Sequence, residues 1–132
     1  MNLKITKSKK LFLLSPLILA SISIFIASHQ EGVPYDTSIF IFQDKVFHFI
    51  AYFIYGITIQ MFLNYFNIKS KKYILLTIII GSLFGASDEF HQSFIPNRTT
   101  EFFDWFADTL GVAASLSIRT KLLKLINKIF YK

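Results

Sequence analysis

Four long apolar stretches separated by short polar segments dominate this chain. They cover residues 11–28, 46–66, 73–87 and 102–118. At about 1.5 Å per helical residue, each approaches the length needed to cross a hydrocarbon core of about 30 Å. The pattern therefore predicts an all-α fold, an integral membrane four-helix bundle, as one domain over residues 1–132.

Beyond the fourth stretch, the apolar positions form a narrower stripe. Leu122, Leu125, Ile126 and Ile129 recur at helical spacing, and lysines occupy the other faces. A helix of this kind typically lies in the membrane interface with its apolar side toward the lipid tails. We therefore expect a C-terminal amphipathic helix on the inner leaflet.

Charged residues are divided unequally between the two ends of the predicted helices. All eight acidic residues, together with Lys45 and Arg98, lie at one end, and every other Lys and Arg lies at the opposite end. Because basic segments tend to stay in the cytoplasm, both termini are predicted to be cytoplasmic. The acidic end then faces outward from a plasma membrane that the chain crosses several times.

Composition narrows the class of protein further. A content of 53% hydrophobic residues in evenly spaced runs disfavours a soluble helical domain. The net charge of +6 comes from segments that flank apolar spans, so membrane lipids, and not nucleic acid, are the expected partners. The absence of cysteine excludes disulfides and thiolate chemistry. A cleaved signal peptide is an alternative for the first stretch, which is however long for one.

Polar and small residues form one stripe on each of three predicted helices. Steps of three or four residues place each stripe on a single helix face. The stripes are Asp44, His48, Tyr52 and Gly56, then Gly81, Gly85, Glu89 and Gln92, then Asp104, Ala107, Asp108, Gly111 and Ser115. Because small residues allow helices to pack closely, we expect the three stripes to face one another.

Together with the loop after the third helix, these stripes are expected to enclose a shallow outer cavity. The candidate catalytic residues are His48, Asp88, Glu89, Asp104 and Asp108. The candidate substrate-binding residues are Lys45, Tyr52, His91, Gln92 and Arg98. So many carboxylates in a partly dry site require shared protons, a divalent cation or a cationic ligand. The sequence leaves the choice of metal or other cofactor open.

Several functions fit these residues. Metal-assisted or acid–base hydrolysis would use His48 or Glu89 as base and Arg98 to hold a phosphate. A structural network would use the same charges only to lock the bundle. A proton-coupled carrier is less favoured, because the inner halves of the helices lack ionisable residues. No zinc-peptidase spacing or nucleophilic serine motif is present, so the sequence does not decide whether the protein is an enzyme.

Three ordered blocks of residues resemble the VanZ-like family of membrane proteins. The blocks are Asp44, Lys45 and His48, then Asp88, Glu89, Gln92, Pro96 and Arg98, then Asp104, Asp108 and Gly111. The resemblance covers about residues 44–115. Asn97 departs from the glycine that is common at its position, although asparagine also tolerates a left-handed turn.

The resemblance implies a small, multi-pass, bacterial membrane protein of the cell envelope. The founding member of the family is associated with reduced susceptibility to the glycopeptide teicoplanin, so antibiotic resistance is an implied role. Combined with the outer cavity, the resemblance leads us to expect a protein that binds or acts on a lipid-linked cell-wall intermediate. A passive binding module and an ion-coupled carrier are the alternatives, and the oligomeric state is left open.

Overall fold

The computed structural model describes residues 7–31, 39–66, 68 and 70–130, and within those residues every regular element is helical. The elements are α1 (Lys7–Ser28), α2 (Gln43–Tyr65), α3 (Ser70–Gln92), α4 (Phe102–Ser115), a short 3-10 helix (Leu116–Ile118) and α5 (Arg119–Phe130). The predicted all-α helical bundle is therefore confirmed.

Helix α2 is the centre of the bundle and contacts α1, α3 and α4, most extensively α4. Glycine makes the α2–α4 contact possible. A Cβ atom on Gly111 would overlap the carbonyl oxygen of Phe49 and lie 2.9 Å from the nitrogen of Phe53. On the facing helix, a Cβ on Gly56 would collide with the side chain of Ser115. The two helices therefore pack backbone to backbone, as the stripes of small residues predict.

Apolar side chains cover much of the exterior, as expected for a surface solvated by lipid tails. Leu11, Leu19 and Phe25 on α1 are each more than half exposed. The interior holds a smaller cluster, in which Tyr52 and Ile59 of α2 are buried against Val112 of α4. An exposed apolar surface of this extent is unfavourable in water and favours a bilayer environment.

Three helices among the described residues are long and apolar enough to cross a membrane: Leu11–Ser28, Gln43–Tyr65 and Lys71–Gln92. The fourth predicted span differs, because α4 has only 14 residues before the 3-10 turn begins. At about 1.5 Å per residue, α4 alone reaches about 21 Å. Its role as a fourth membrane crossing, like the surface placement of α5, stays a prediction.

The ends of the helices also differ from the apolar boundaries. Helix α3 continues to Gln92 and therefore includes Asp88 and Glu89, beyond the predicted limit at residue 87. These side chains are buried inside the bundle, at 6% and 5% exposure. A polar residue that finds protein partners can remain in a helix, so hydropathy alone places this boundary too early.

A second polar cluster lies deeper in the bundle, where the Arg119 guanidinium lies 4.5 Å from the centroid of the Tyr73 ring. The side-chain nitrogen of Gln60 donates to the carbonyl and hydroxyl oxygens of Ser115, at 3.0 and 2.9 Å. The hydroxyl of Tyr73 donates to the carbonyl oxygen of Gln60 at 2.7 Å. These bonds join α2, α3 and α4 at the end opposite the acidic residues. The buried side-chain donors of Gln60 and Tyr73 both find acceptors in this cluster.

Replacing Gly111 with alanine should destabilise the bundle, although alanine is the better helix former. The added methyl group would meet the backbone of α2, which cannot rotate away as a side chain can. We expect a loss of about 1–3 kcal/mol, measured as helical content against temperature in detergent. Leu110→Ala, at a neighbouring position that is 45% exposed, is the control and should have a smaller effect. Equal stability of Gly111→Ala and the wild type would contradict the close contact.

Candidate functional site

A cavity of about 700 Å³ opens at the end of the bundle where α1 and α3 end and α2 and α4 begin. Its polar lining includes Asp44, Lys45, His48, Tyr52, Asp88, Gln92, Arg98, Glu101 and Asp104. Its apolar lining includes Ile24, Ala27, Phe40, Ile41, Phe42, Phe47 and Ala51. We refer to this cavity as the polar pocket. The predicted stripes therefore do meet at one depth, on the face where the acidic residues were expected to gather.

Lys45 stands at the centre of the first charged cluster in the pocket. Its ammonium nitrogen lies 2.8 Å from Asp44 Oδ2, 2.6 Å from Glu101 Oε2 and 2.9 Å from Asp104 Oδ1. Glu101 precedes α4 and Asp104 lies in its first turn, so the lysine joins α2 to the beginning of α4. Its ammonium donates hydrogen bonds to Asp44 and Glu101 and forms an ion pair with Asp104, which argues against the predicted substrate-binding role of Lys45.

His48 and Asp108 form the second cluster, one turn deeper along α2 and α4. His48 Nδ1 and Asp108 Oδ1 are hydrogen-bonded at 2.9 Å, and the Asp108 side chain is completely buried. Glu89 of α3 approaches the same ring, with its Oε1 at 3.9 Å from His48 Nδ1. The other oxygen of Glu89 accepts the backbone N–H of Glu101 at 3.2 Å. The arrangement resembles a histidine oriented by a buried carboxylate, as in many acid–base sites.

Arg98 has a different position from the one that its charge suggests. Its guanidinium donates to the carbonyl oxygens of Ala27 and Gln30 at 3.0 and 3.1 Å, and to Gln92 Oε1 at 3.2 Å. The arginine therefore binds the end of α1, where helix carbonyls lack partners within the helix. The preceding Asn97 has a φ of 59°, so the predicted left-handed turn is confirmed.

Three predicted site residues do not line the polar pocket. Glu89 and Asp108 lie behind His48, and His91 points to the other side of α3. The His91 ring stacks on Phe25 at 4.6 Å between centroids, and its Nε2 lies 3.3 Å from Nδ1 of His29. His91 therefore packs against α1 and is not placed to contact a ligand in the pocket.

Sequence reasoning missed two parts of this site. Glu101 was counted among the outer acidic residues but not assigned to the cavity, although it comes only three residues before Asp104. The second is an apolar lip formed by Ile39, Phe40, Ile41 and Phe42, which are 49–88% exposed and of which the last three line the pocket. Four consecutive large apolar residues in a polar loop were the available signal. Phe42 adopts a left-handed φ of 65°, which is uncommon for a bulky residue.

Among the residues that the structure describes, two sets of three side chains have ligand atoms within 4.8 Å of one another. One set is His48, Glu89 and Asp104, and the other is Asp44, Glu101 and Asp104. The second set surrounds the Lys45 ammonium, which already supplies its positive charge. The first set instead combines an imidazole nitrogen with two carboxylates, and of these two Asp104 is the one that is paired with Lys45.

The VanZ/LLP1 family profile matches residues 3–123. This chain belongs to the VanZ/LLP1 family. It is also 35% identical over 75 residues to Uncharacterized protein C11E3.10 of Schizosaccharomyces pombe, an alignment that covers 56% of this chain and 44% of that relative. The chain thus aligns with less than half of the yeast protein, and a yeast relative gives no support for a bacterial source. No solved structure matches this VanZ/LLP1 chain.

Replacing Lys45 with methionine should destabilise the VanZ/LLP1 protein, because Asp104 is nearly buried and would lose its nearest cation. We expect a loss of about 1–3 kcal/mol in detergent unfolding followed by circular dichroism. Lys71→Met removes the same charge from an exposed position on α3 and should change stability by less than about 0.5 kcal/mol.

A double substitution separates the ion pair from the loss of the lysine stem. Lys45→Met with Asp104→Asn should be less destabilising than the sum of the two single changes, because the buried carboxylate is removed as well. Strict additivity would mean that the pair contributes nothing to stability.

Proposed function

We propose that this VanZ/LLP1 protein binds the phosphate-bearing headgroup of a membrane amphiphile, such as a lipid-linked cell-envelope intermediate, in the polar pocket. The observation that carries the proposal is the double character of the pocket, which has charged side chains on one side and an exposed apolar lip on the other. Its volume of about 700 Å³ lies within the usual range for small-molecule sites.

The lip argues for a ligand that is itself anchored in the membrane. Ile39 and Ile41 are 88% and 82% exposed, a state that water disfavours and lipid tails favour. A lip inserted into the leaflet would leave the pocket open toward the headgroup layer. An amphiphile could then place its headgroup in the pocket while its tails remain in the bilayer.

Arg98 is the residue that we assign to the phosphate. A guanidinium has five N–H donors, and three of them account for the bonds to Ala27, Gln30 and Gln92. The two others can serve an anionic oxygen at the pocket wall that Arg98 lines. The carboxylates of the pocket would repel an anion, and the positive charge of Arg98 has to offset that repulsion.

Acid–base catalysis on the bound headgroup is a second candidate function. The specific observation in its favour is the 2.9 Å hydrogen bond between His48 and the buried Asp108 carboxylate. This bond fixes the ring while His48 still lines the pocket. A passive binding module would need the pocket alone. An ion-coupled carrier would also need ionisable groups on an ion path through the opposite end of the bundle, where Gln60 is hydrogen-bonded to Ser115.

The proposed function implies a membrane face for the pocket and an effect on antibiotic susceptibility. We place the pocket on the outer face of a plasma membrane, because the basic residues lie at the opposite end of the helices. An outer pocket that holds a lipid-linked cell-wall intermediate would also account for a teicoplanin phenotype like that of the founding family member. Reduced susceptibility to teicoplanin is therefore part of the proposed function.

Filling the pocket should abolish amphiphile binding without unfolding the protein. Ala27→Trp adds a large side chain at a pocket-lining position, whereas Ile26→Trp adds it at the next position, which is 56% exposed and does not line the pocket. With polyprenyl phosphate as the probe and native mass spectrometry as the measurement, we expect at least a tenfold loss for Ala27→Trp alone.

The uncharged polyprenol, which has the same tail, tests the role of the phosphate. It should bind the wild type about 10- to 150-fold more weakly, since a charge-assisted hydrogen bond contributes about 1.5–3 kcal/mol. Equal binding of the two probes, or equal effects of the two tryptophans, would refute a phosphate-selective pocket.

Orientation can be tested with single cysteines, because the chain has none of its own. Thr100→Cys lies beside the pocket and Lys72→Cys at the other end, and both positions are exposed. An impermeant maleimide added to intact cells should label Thr100→Cys and leave Lys72→Cys unlabelled until the membrane is opened. Labelling in the reverse order would place the pocket in the cytoplasm.

A further inference from the structure

We propose that His48, Glu89 and Asp104 bind one divalent transition-metal cation of the Zn²⁺ type. The three residues come from α2, α3 and α4, so the ion would sit where the three helices meet. The inference goes beyond the binding of an amphiphile and does not depend on it, because the ligand atoms belong to the protein alone.

The spacing of the three ligand atoms suits a single ion. They lie within 4.8 Å of one another. Nitrogen and oxygen ligands bind Zn²⁺ at about 2.0–2.2 Å, so two ligands of one tetrahedral ion are about 3.4 Å apart. The three ligand atoms would therefore have to approach one another by up to about 1.4 Å on binding, which rotation of their side chains can supply.

The carboxylate of Glu89 supplies the independent observation that a cation is expected. Glu89 is only 5% exposed, and within the described part of the chain no donor reaches its Oε1. That oxygen faces His48 at 3.9 Å, beyond hydrogen-bond distance. The backbone N–H of Glu101 holds the other oxygen and so fixes the direction of the first. A buried carboxylate oxygen without a donor is costly, and a bound cation would remove that cost.

The surrounding residues support a metal at this set and not at the neighbouring one. Asp108 Oδ1 is hydrogen-bonded to His48 Nδ1, as carboxylates beside metal-bound histidines commonly are, so the ring nitrogen that would bind the ion is Nε2. The alternative set of Asp44, Glu101 and Asp104 already encloses the Lys45 ammonium within 3 Å. Asp104 can serve both clusters because a carboxylate has two oxygens.

The ligand types indicate the class of metal and what it would add. One imidazole with two carboxylates favours Zn²⁺ or a similar transition ion over Mg²⁺ and Ca²⁺, which prefer oxygen ligands alone. Three protein ligands leave a coordination position open. Because His48 and Asp104 line the polar pocket, that position would face the pocket, where a water molecule or a phosphate oxygen can occupy it.

The test is Zn²⁺ binding by the purified full chain in detergent, without added lipid, after removal of metal with a chelator. We expect about one Zn²⁺ per chain in the wild type, by elemental analysis after desalting. Glu89→Gln keeps the shape and removes the charge, and should weaken binding at least tenfold in calorimetric titration. Asp44→Asn is the matched control, since it removes a carboxylate of the Lys45 cluster, and should bind Zn²⁺ as the wild type does.

Two further measurements keep the outcome clear. X-ray absorption at the zinc edge of the wild type should show one imidazole among oxygen ligands, a result that needs no variant to fold. Helical content and size-exclusion behaviour check Glu89→Gln itself. Absence of stoichiometric Zn²⁺ in the wild type, equal losses in the two variants, or a zinc spectrum without imidazole would each overturn the assignment. Amphiphile binding is measured separately, so either proposal can fail alone.

Discussion

Helices α2 and α4 approach so closely at Gly111 that one added methyl group would overlap the backbone of α2. Asp108 and Asp104 lie on the same face of α4, about one and two turns before that glycine. The approach therefore brings Asp104 within reach of Lys45 and Asp108 within reach of His48. A wider separation would leave Asp104 without the Lys45 ammonium and Asp108 without the His48 ring, and a buried carboxylate without a partner is strongly unfavourable.

Two neighbouring clusters result from this contact, and they differ in whether an ammonium group lies among the carboxylates. Around Lys45, one ammonium meets three carboxylates at 2.6–2.9 Å, which suits a structural role in joining α2 to α4. Around His48, the carboxylate of Glu89 keeps one buried oxygen without a donor among the described residues. Proteins rarely leave such a group unsatisfied unless a ligand or a reaction uses it. The chemistry of the pocket is therefore expected at His48.

The opposite end of the bundle is joined by hydrogen bonds between uncharged groups. There, Gln60, Ser115 and Tyr73 tie the same helices together through neutral hydrogen bonds. Neutral groups can be buried at low cost when each donor is satisfied, whereas charges need partners or ligands. The carboxylates are concentrated at the pocket end, where they form a site that can engage ions and headgroups, whereas the bonds among Gln60, Ser115 and Tyr73 hold the helices in place.

Sequence alone determined the helices, the separation of acidic from basic ends and the stripes that meet in the pocket, because hydropathy and three- or four-residue spacing are local properties. The stripe through Glu89 and Gln92 already extended α3, whereas hydropathy alone ended it at residue 87, since hydropathy does not register that Asp88 and Glu89 are buried. Tertiary structure decided the partners: Arg98 binds backbone carbonyls of α1, and His91 stacks on that helix instead of facing the pocket. These pairings depend on the rotation and separation of helices whose contacting residues lie far apart in the chain, which no local pattern contains.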